Sequence, residues 1–525
     1  MPIHVRTFAG ELPKVSPRLL PENNAAFVSN ARLTGGDLDP MRLGPLIRTA
    51  AEGTRTFYKD GATYLDFTDA TTKVVPGPVA SNRLYIMSNT GIPQMRVNGI
   101  DYPLALPAPV SAPVLSRSGT LDEDLRELVL FAYTWVTGFG EESQLSPSAG
   151  IFWSPGTNIT LGSMPAAPTG RNITHKRIYR SQTTASGETE FLFVAQIAGT
   201  AVSYTHNIEN APLQEAITSR DFDPPINLAR GLVAMPNGIM ACYAGKEVMF
   251  SEPYQPHAWP TKYRQAVTDP IVALVAFGSS LAILTTGTPY VAQGLHPEQM
   301  AMEKSEQPFP CLATRGVVDM GYSAIYPSTD GLVEVTQGGA RLLSTPLWSR
   351  AQWENLAPTT FLAAHFNGRY VFSHSPVGVS GRQLGIVDTR GEAPFYSRSD
   401  VAATEVVYDL ASGDLLYLDS ALQIRELDPS TLNATRQSLL WRSKPFHTGR
   451  PFSLGAIFVE ASDVVAGSVV RFYGDGALRA TIPHTAFNAV ARLPAGKWNT
   501  VHFEVEGQST VNRVSLGQMP DEVRA

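Results

Sequence analysis

No stretch of this chain repeats its apolar residues at three- and four-residue intervals for long enough to make a long amphipathic helix. The apolar residues come instead in short alternating runs, broken by Gly, Pro, Asn and Asp. That rhythm commits the chain to architectures built from many short strands. Composition agrees: charged residues make up 17%, against roughly 25% in an average soluble domain. Hydrophobic content of 43% is enough to build cores, and 525 residues are too many for one simple core. About two to four domains are expected.

Along the chain, residues 1–50 read as an N-terminal extended arm that lies on other protein. Pro13, Pro17 and Pro21 keep it extended or turning, and residues 21–28 (PENNAAFV) have the makings of a short helix. Residues 51–104 alternate like strands: Phe57-Tyr58, the turn Lys59-Asp60-Gly61, then Tyr64 to Phe67 read as a hairpin. They are expected to form the first part of a β-propeller. A Pro- and Ala-rich linker over 104–114 marks a boundary, and 105–225 reads as an inserted β-sandwich. The rhythm returns over 226–435, with paired strands at about 40–45 residues per unit, the size of a propeller blade. Residues 365–372 form a hairpin with its turn at Asn367-Gly368. The last segment, 436–525, reads as a C-terminal β-sandwich. The expected fold is therefore all-β: a β-propeller of roughly six blades, interrupted by one sandwich and followed by another.

Several function classes are disfavoured. The net charge of −6 argues against a chain that coats nucleic acid through bulk positive charge. Two cysteines, Cys242 and Cys311, are too few for a disulfide framework, and buried thiols in a reducing compartment are the expectation. The N-terminus has no signal-peptide pattern, and residues 271–285, the most apolar stretch, are too short to span a bilayer. They read as two buried strands joined by a turn, and no membrane anchor is expected. There is no P-loop, H-E-x-x-H, C-x-x-C, EF-hand loop or G-x-S-x-G elbow. Gly138-Phe139-Gly140 lacks a third glycine and reads as a hairpin turn.

Candidate chemistry is correspondingly sparse. His257 sits in the rigid aromatic loop Pro253 to Pro260 and reads as a packed residue. Asp319, Asp330, Glu334, Asp388 and Asp409 lie near predicted strands or turns; a converging pair of them would suit a glycosidase. Asp122-Glu123-Asp124 reads as a solvated turn. The sequons at Asn158, Asn172 and Asn433 carry meaning only in a secreted chain. No catalytic, cofactor-binding or metal-ligating residue is assigned, and no cofactor and no enzymatic activity are expected.

The stretch from Phe250 to Pro260 (FSEPYQPHAWP), then Asp269 to Leu274, Leu281 to Tyr290, Pro310 to Gly321 and Ser328 to Val333, resembles virion proteins of short-tailed bacteriophages: the tail tubular protein B, tail hub or nozzle family. Phe8-Ala9-Gly10, Asn30, Leu33 and Pro40-Met41-Arg42 resemble the opening of the same family. Tyr133 to Glu142 and Arg177 to Ser181 resemble its inserted fibronectin-type-III-like domain. The resemblance implies a structural virion protein, a homohexameric ring at the distal end of the tail. Double-stranded DNA passes through it during ejection without sequence-specific binding. The implied partners are other tail proteins, namely the tube or adaptor and the fibres, and the implied location is the virion tail after folding in the host cytoplasm. A negative ring suits a conduit, because each neutralised phosphate would add affinity. The alternatives are a receptor-binding adhesin or a propeller enzyme acting on glycans.

Overall fold

Short strands arise here because Val, Ile, Leu, Tyr and Phe cluster in runs of four to seven residues between turn residues. A computed structural model of the chain describes residues 2–183, 189–207, 215–390, 393–431 and 434–524. Among these, strands dominate; the two α-helices are Arg350–Asn355, opened by a Ser349/Gln352 capping box, and Pro520–Arg524. No described helix is long and apolar enough to cross a membrane. The chain divides into two compact units: residues 1–71, 284–291 and 304–525 form one, and residues 72–283 and 292–303 the other.

In the first unit, antiparallel meanders recur. Val318–Asp319, Ala324–Ser328, Gly331–Thr336 and Gly339–Leu342 form one four-stranded sheet. Leu362–Phe366, Arg369–His374, Gln383–Asp388 and Phe395–Ser399 form another meander. A third, Glu405–Tyr408, Leu415–Leu418 and Gln423–Leu427, is extended by a strand from the far end of the chain, Arg42–Thr49, with Thr435–Arg436 on its other side. Gly44 makes that join possible. A Cβ there would lie 2.1 Å from the Glu426 carbonyl oxygen, so only glycine allows the backbones to approach.

The opening fifty residues, expected as an arm laid on other protein, are built into this unit's own sheets. Ile3–Val5 pairs with Thr510–Gly517, and Asn24–Ser29 pairs with Leu439–Ser443. Residues 21–28 therefore hold a strand where a short helix was expected. The competing force is burial: Ala25 and Val28 enter a core with Trp441, Phe472, Trp498 and Phe503, and pairing outweighs weak local propensity. Phe8 meets Trp441 edge-on at 5.0 Å, and the Trp441 indole donates to the Ala9 carbonyl at 3.1 Å.

The second unit contains two further four-stranded meanders. They are Lys73–Pro76, Arg83–Met87, Gln94–Val97 and Ile100–Pro103, and Arg230–Ala234, Met240–Ala244, Glu247–Phe250 and Gln265–Ala266. Between them in sequence lie a three-stranded sheet (Val114–Ser118, Asn158–Gly162, Tyr204–His206) and a four-stranded one (Ala149–Trp153, Glu127–Thr137, Ile173–Thr183, Thr189–Ala198). Ile159 and Leu161 of the first share a core with Val129, Phe131 and Tyr133 of the second. The residues 271–285 do hold two strands, Ile271–Phe277 and Ser280–Thr285, with Gly278 at φ 54° between them. The boundary between the units falls within the second.

Candidate functional site

The first unit carries a charged cavity assembled from five segments of the chain. Asn367-Gly368, with φ of 50° and 74°, closes the hairpin that the sequence marks and sets Arg369 opposite Phe366. A second turn, Thr34-Gly35-Gly36, follows Ala31–Arg32. The remaining walls come from Gly413-Asp414, from Glu426 in Gln423–Leu427 and Asp428 just beyond it, and from Arg390 after Gln383–Asp388. Together they line a half-open cavity of about 600 Å³. A neighbouring depression of about 410 Å³ shares Arg32 and Thr34 and adds Asp37, Asp39, Arg42 and Arg436.

Asp428 organises these walls. Its carboxylate accepts from Arg32 Nε at 2.7 and 2.8 Å and from the Arg42 backbone N–H at 2.9 Å. Arg32 Nη2 also donates to the Pro429 carbonyl at 2.8 Å, and Arg42 Nη1 donates to the Ser430 and Thr431 carbonyls at 3.0 and 2.9 Å. Arg390 is held by Asp388, with Nε at 3.0 Å from Oδ1. Arg369 differs. It is 7% exposed, its guanidinium carbon lies 5.5 Å from the centre of the Phe366 ring, and its Nε is buried without a hydrogen-bond partner. Burial pulls its proton affinity down, Asp428 and its cross-strand neighbour Asp388 oppose that through space, and Arg390 and Arg32 add to it. Across the same cavity, burial and the charges of Asp414 and Asp428 raise the Glu426 carboxyl above its ordinary range, against Lys59. Among the described residues, the cavity thus holds a cation whose buried Nε has no hydrogen-bond acceptor and an acid crowded by other acids.

The second unit has a closed counterpart. Glu141 follows the Gly138–Gly140 turn and meets Arg171 Nη2 at 2.8 Å, with both side chains 5% exposed. His257 lies 4.0 Å from Glu141 and its Nε2 is 3.0 Å from the Glu142 carbonyl, so Nε2 is the donor. Burial lowers the His257 pKa against the pull of Glu141. Beside them Glu142 accepts from Thr134, Tyr179 and Arg177 at 2.7, 2.6 and 2.6 Å.

The residues singled out in the sequence fall mostly outside these groups. Glu334 is held by Arg341 and Ser323, Asp388 by Arg390, and Asp409 by Lys59 and Ser412. Asp319 binds the Gly321 N–H, and Asp330 lies 3.8 Å from Arg350. Each acid has its own partner, and no group of three or more His, Cys, Asp or Glu able to hold a metal occurs among the described residues. Cys242 and Cys311 are buried and free, with burial pushing both thiols up, that of Cys311 to about 12. Asp122 caps the Asp124 N–H in an exposed turn; Asn433 lies outside the described residues. His257 is packed, 1% exposed. Its loop braces itself: Glu252 N–H to Ala258 carbonyl at 2.9 Å, Ala258 N–H to Gln255 carbonyl at 2.9 Å, and the Trp259 indole to the Pro256 carbonyl at 2.8 Å. Sequence reasoning passed over Arg42, Arg390, Glu426 and Asp428 as site residues. Partners nearly 400 positions apart, as Arg32 and Asp428 are, leave no local signal.

No protein-family model matches this chain, and no curated protein matches it. Among solved structures, the Neurospora crassa Pan2 WD40 domain is 9% identical, with 69% of this chain and 90% of that chain covered at a TM-score of 0.27. The Nup159 N-terminal domain is 8% identical, covering 76% and 100% at 0.26. Kluyveromyces marxianus Hsv2 is 9% identical, covering 53% and 89% at 0.25. Likeness at these TM-scores assigns neither fold nor function.

Proposed function

We propose that this chain is a structural virion protein of a short-tailed phage. On this reading it is a subunit of a homohexameric nozzle or hub ring that conducts DNA and carries fibres or other tail proteins. The four-stranded meanders are then blades of a β-propeller. The two sheets over 114–206 are its fibronectin-type-III-like insertion. The observation that carries the reading is the build of the stretch 250–260, where the family resemblance is densest. Its polar groups are spent on its own backbone and on neighbouring segments, as at His257 with the Glu142 carbonyl and Trp259 N–H with the Asp223 carbonyl, and Trp259 and His257 are buried. Such a segment serves as scaffold. The separate partnering of each candidate carboxylate and the net charge of −6 point the same way.

Native mass spectrometry and negative-stain imaging of the full chain, alone and with neighbouring tail proteins, test it. A closed ring of about six copies is expected, since soluble homo-oligomers favour closed symmetry. A chain that stays monomeric at every concentration and cleaves polysaccharide overturns it.

A further inference from the structure

We propose that the cavity bounded by Arg369, Phe366, Asp414 and Glu426 is a binding site for a small zwitterion, a ligand carrying a carboxylate and an ammonium group. Free amino acids and peptides share that chemistry. A volume of about 600 Å³ falls in the range of small-molecule sites, ~300–1,000 Å³, and leaves room for more than one amino-acid residue.

The argument starts from a charge balance that the chain leaves open. Arg32 is matched by Asp428 and Arg390 by Asp388. Arg369 is nine-tenths buried, packs on Phe366, and keeps a buried Nε with no acceptor among the described residues, Asp428 and Asp388 acting on it through space alone. Burying a guanidinium without a carboxylate hydrogen-bonded to it is unfavourable, and an incoming carboxylate would supply that direct contact, in the two-point geometry that guanidinium prefers. A carboxylate alone does not suit the rest of the lining. Asp414 and Glu426 face the same space as Asp428, and only Asp428 is claimed by Arg32. Their crowding repels a polyanion such as DNA and welcomes a donor cation. One ligand with both charges satisfies both walls. The proposal does not depend on the ring described above, because every lining residue belongs to the first unit of a single chain.

The test uses the full chain and four probes in calorimetric titration: alanine, the dipeptide Ala-Ala with free termini, its N-acetyl form and its C-terminal amide. Saturable binding of a free-terminus probe is expected, with each blocked dipeptide at least ~10-fold weaker than free Ala-Ala, as loss of one charge-assisted hydrogen bond implies. Stronger binding of Ala-Ala than of alanine identifies a peptide as the ligand, and the reverse a free amino acid; both support the site. Arg369→Met should weaken free Ala-Ala ~10-fold or more and bring it level with the amide. Glu426→Gln should bring it level with the N-acetyl form. Thermal unfolding of both variants, expected within a degree or two of the parent, separates lost binding from lost folding. Equal affinity for blocked and free dipeptides overturns the proposal. So do undiminished binding by Arg369→Met, absence of saturable binding by any probe, and binding of a short DNA duplex in place of the dipeptide.

Discussion

Arg171 in one compact unit and Arg369 in the other are both buried arginines, and they are treated in opposite ways. Arg171 meets Glu141 at 2.8 Å and donates to the Leu104 carbonyl at 3.2 Å. Arg369 rests on an aromatic ring beside a cavity, and no described acceptor bonds its Nε, with Asp428 and Asp388 acting on it only through space. A buried guanidinium that closes on an acid locks two loops together. One left open stores an unmet interaction, which a ligand can satisfy. The difference teaches that burial of charge alone does not mark a site; what marks it is burial with the counter-ion withheld.

The comparison can be broken most forcefully at Glu141. Glu141→Ala strands a buried Arg171, and loss of about 3–5 kcal/mol is expected. It should be read as lost protection in native-state hydrogen exchange across residues 134–143 and 257–259. Asp428→Ala should act less severely, about 1.5–3 kcal/mol, because Arg32 is 18% exposed and can recruit water. Exchange at 40–44 and 424–428 reports it. Gly368→Ala forces a left-handed residue against Arg390, whose Cδ would lie 2.6 Å from the new Cβ. A loss of about 1–2 kcal/mol is expected, with the hairpin 362–374 exchanging faster.

Acid should move the two regions in opposite directions. The folded His257 pKa lies below the ordinary 6.5. Its contribution is therefore whole above pH 6.5 and is lost as pH falls below that value. Glu426 has a folded pKa above the ordinary 4.5. The protonated form is favoured by folding, so the charged cavity gains stability as pH falls through that raised value toward 4.5. Exchange measured from pH 7 to 5 should show residues near 257 loosening while those near 426 tighten. Parallel loosening of both would erase the contrast. The smallest effect is expected for Arg369→Met, within about 1 kcal/mol of the parent, because no ion pair is broken. Arg171→Met, which leaves Glu141 buried and unmatched, should be far more damaging. Equal losses for the two methionine variants would show that Arg369 has a partner after all.

Parts of this contrast were legible without coordinates. Asn367-Gly368 between alternating runs specifies a two-residue turn with positive φ at both positions, and the hairpin formed as read. Cys242 and Cys311, in apolar strings, were readable as buried. PENNAAFV was not: nothing local says that Ala25 and Val28 face Trp441 more than 400 positions away, and the segment pairs as a strand there. The acids near turns could be listed, but not their partners. Asp388 meets Arg390 two residues on, a local pair, whereas Asp409 and Lys59, 350 positions apart, are brought together only by the assembled sheets.

Periodicity two, glycine- and asparagine-marked turns and a low charge content were enough to make this an all-β chain of many short sheets, since those preferences act between residues a few positions apart. Which strands meet was decided elsewhere. Arg42–Thr49 completes the sheet of Gln423–Leu427, and Ile3–Val5 that of Thr510–Gly517, because backbone hydrogen bonds and apolar burial are indifferent to distance along the chain. The charged cavity follows from that second kind of choice. Arg32, Arg369 and Asp428 are separate letters until the sheets close, and only then is one buried guanidinium nitrogen left without an acceptor among the described residues.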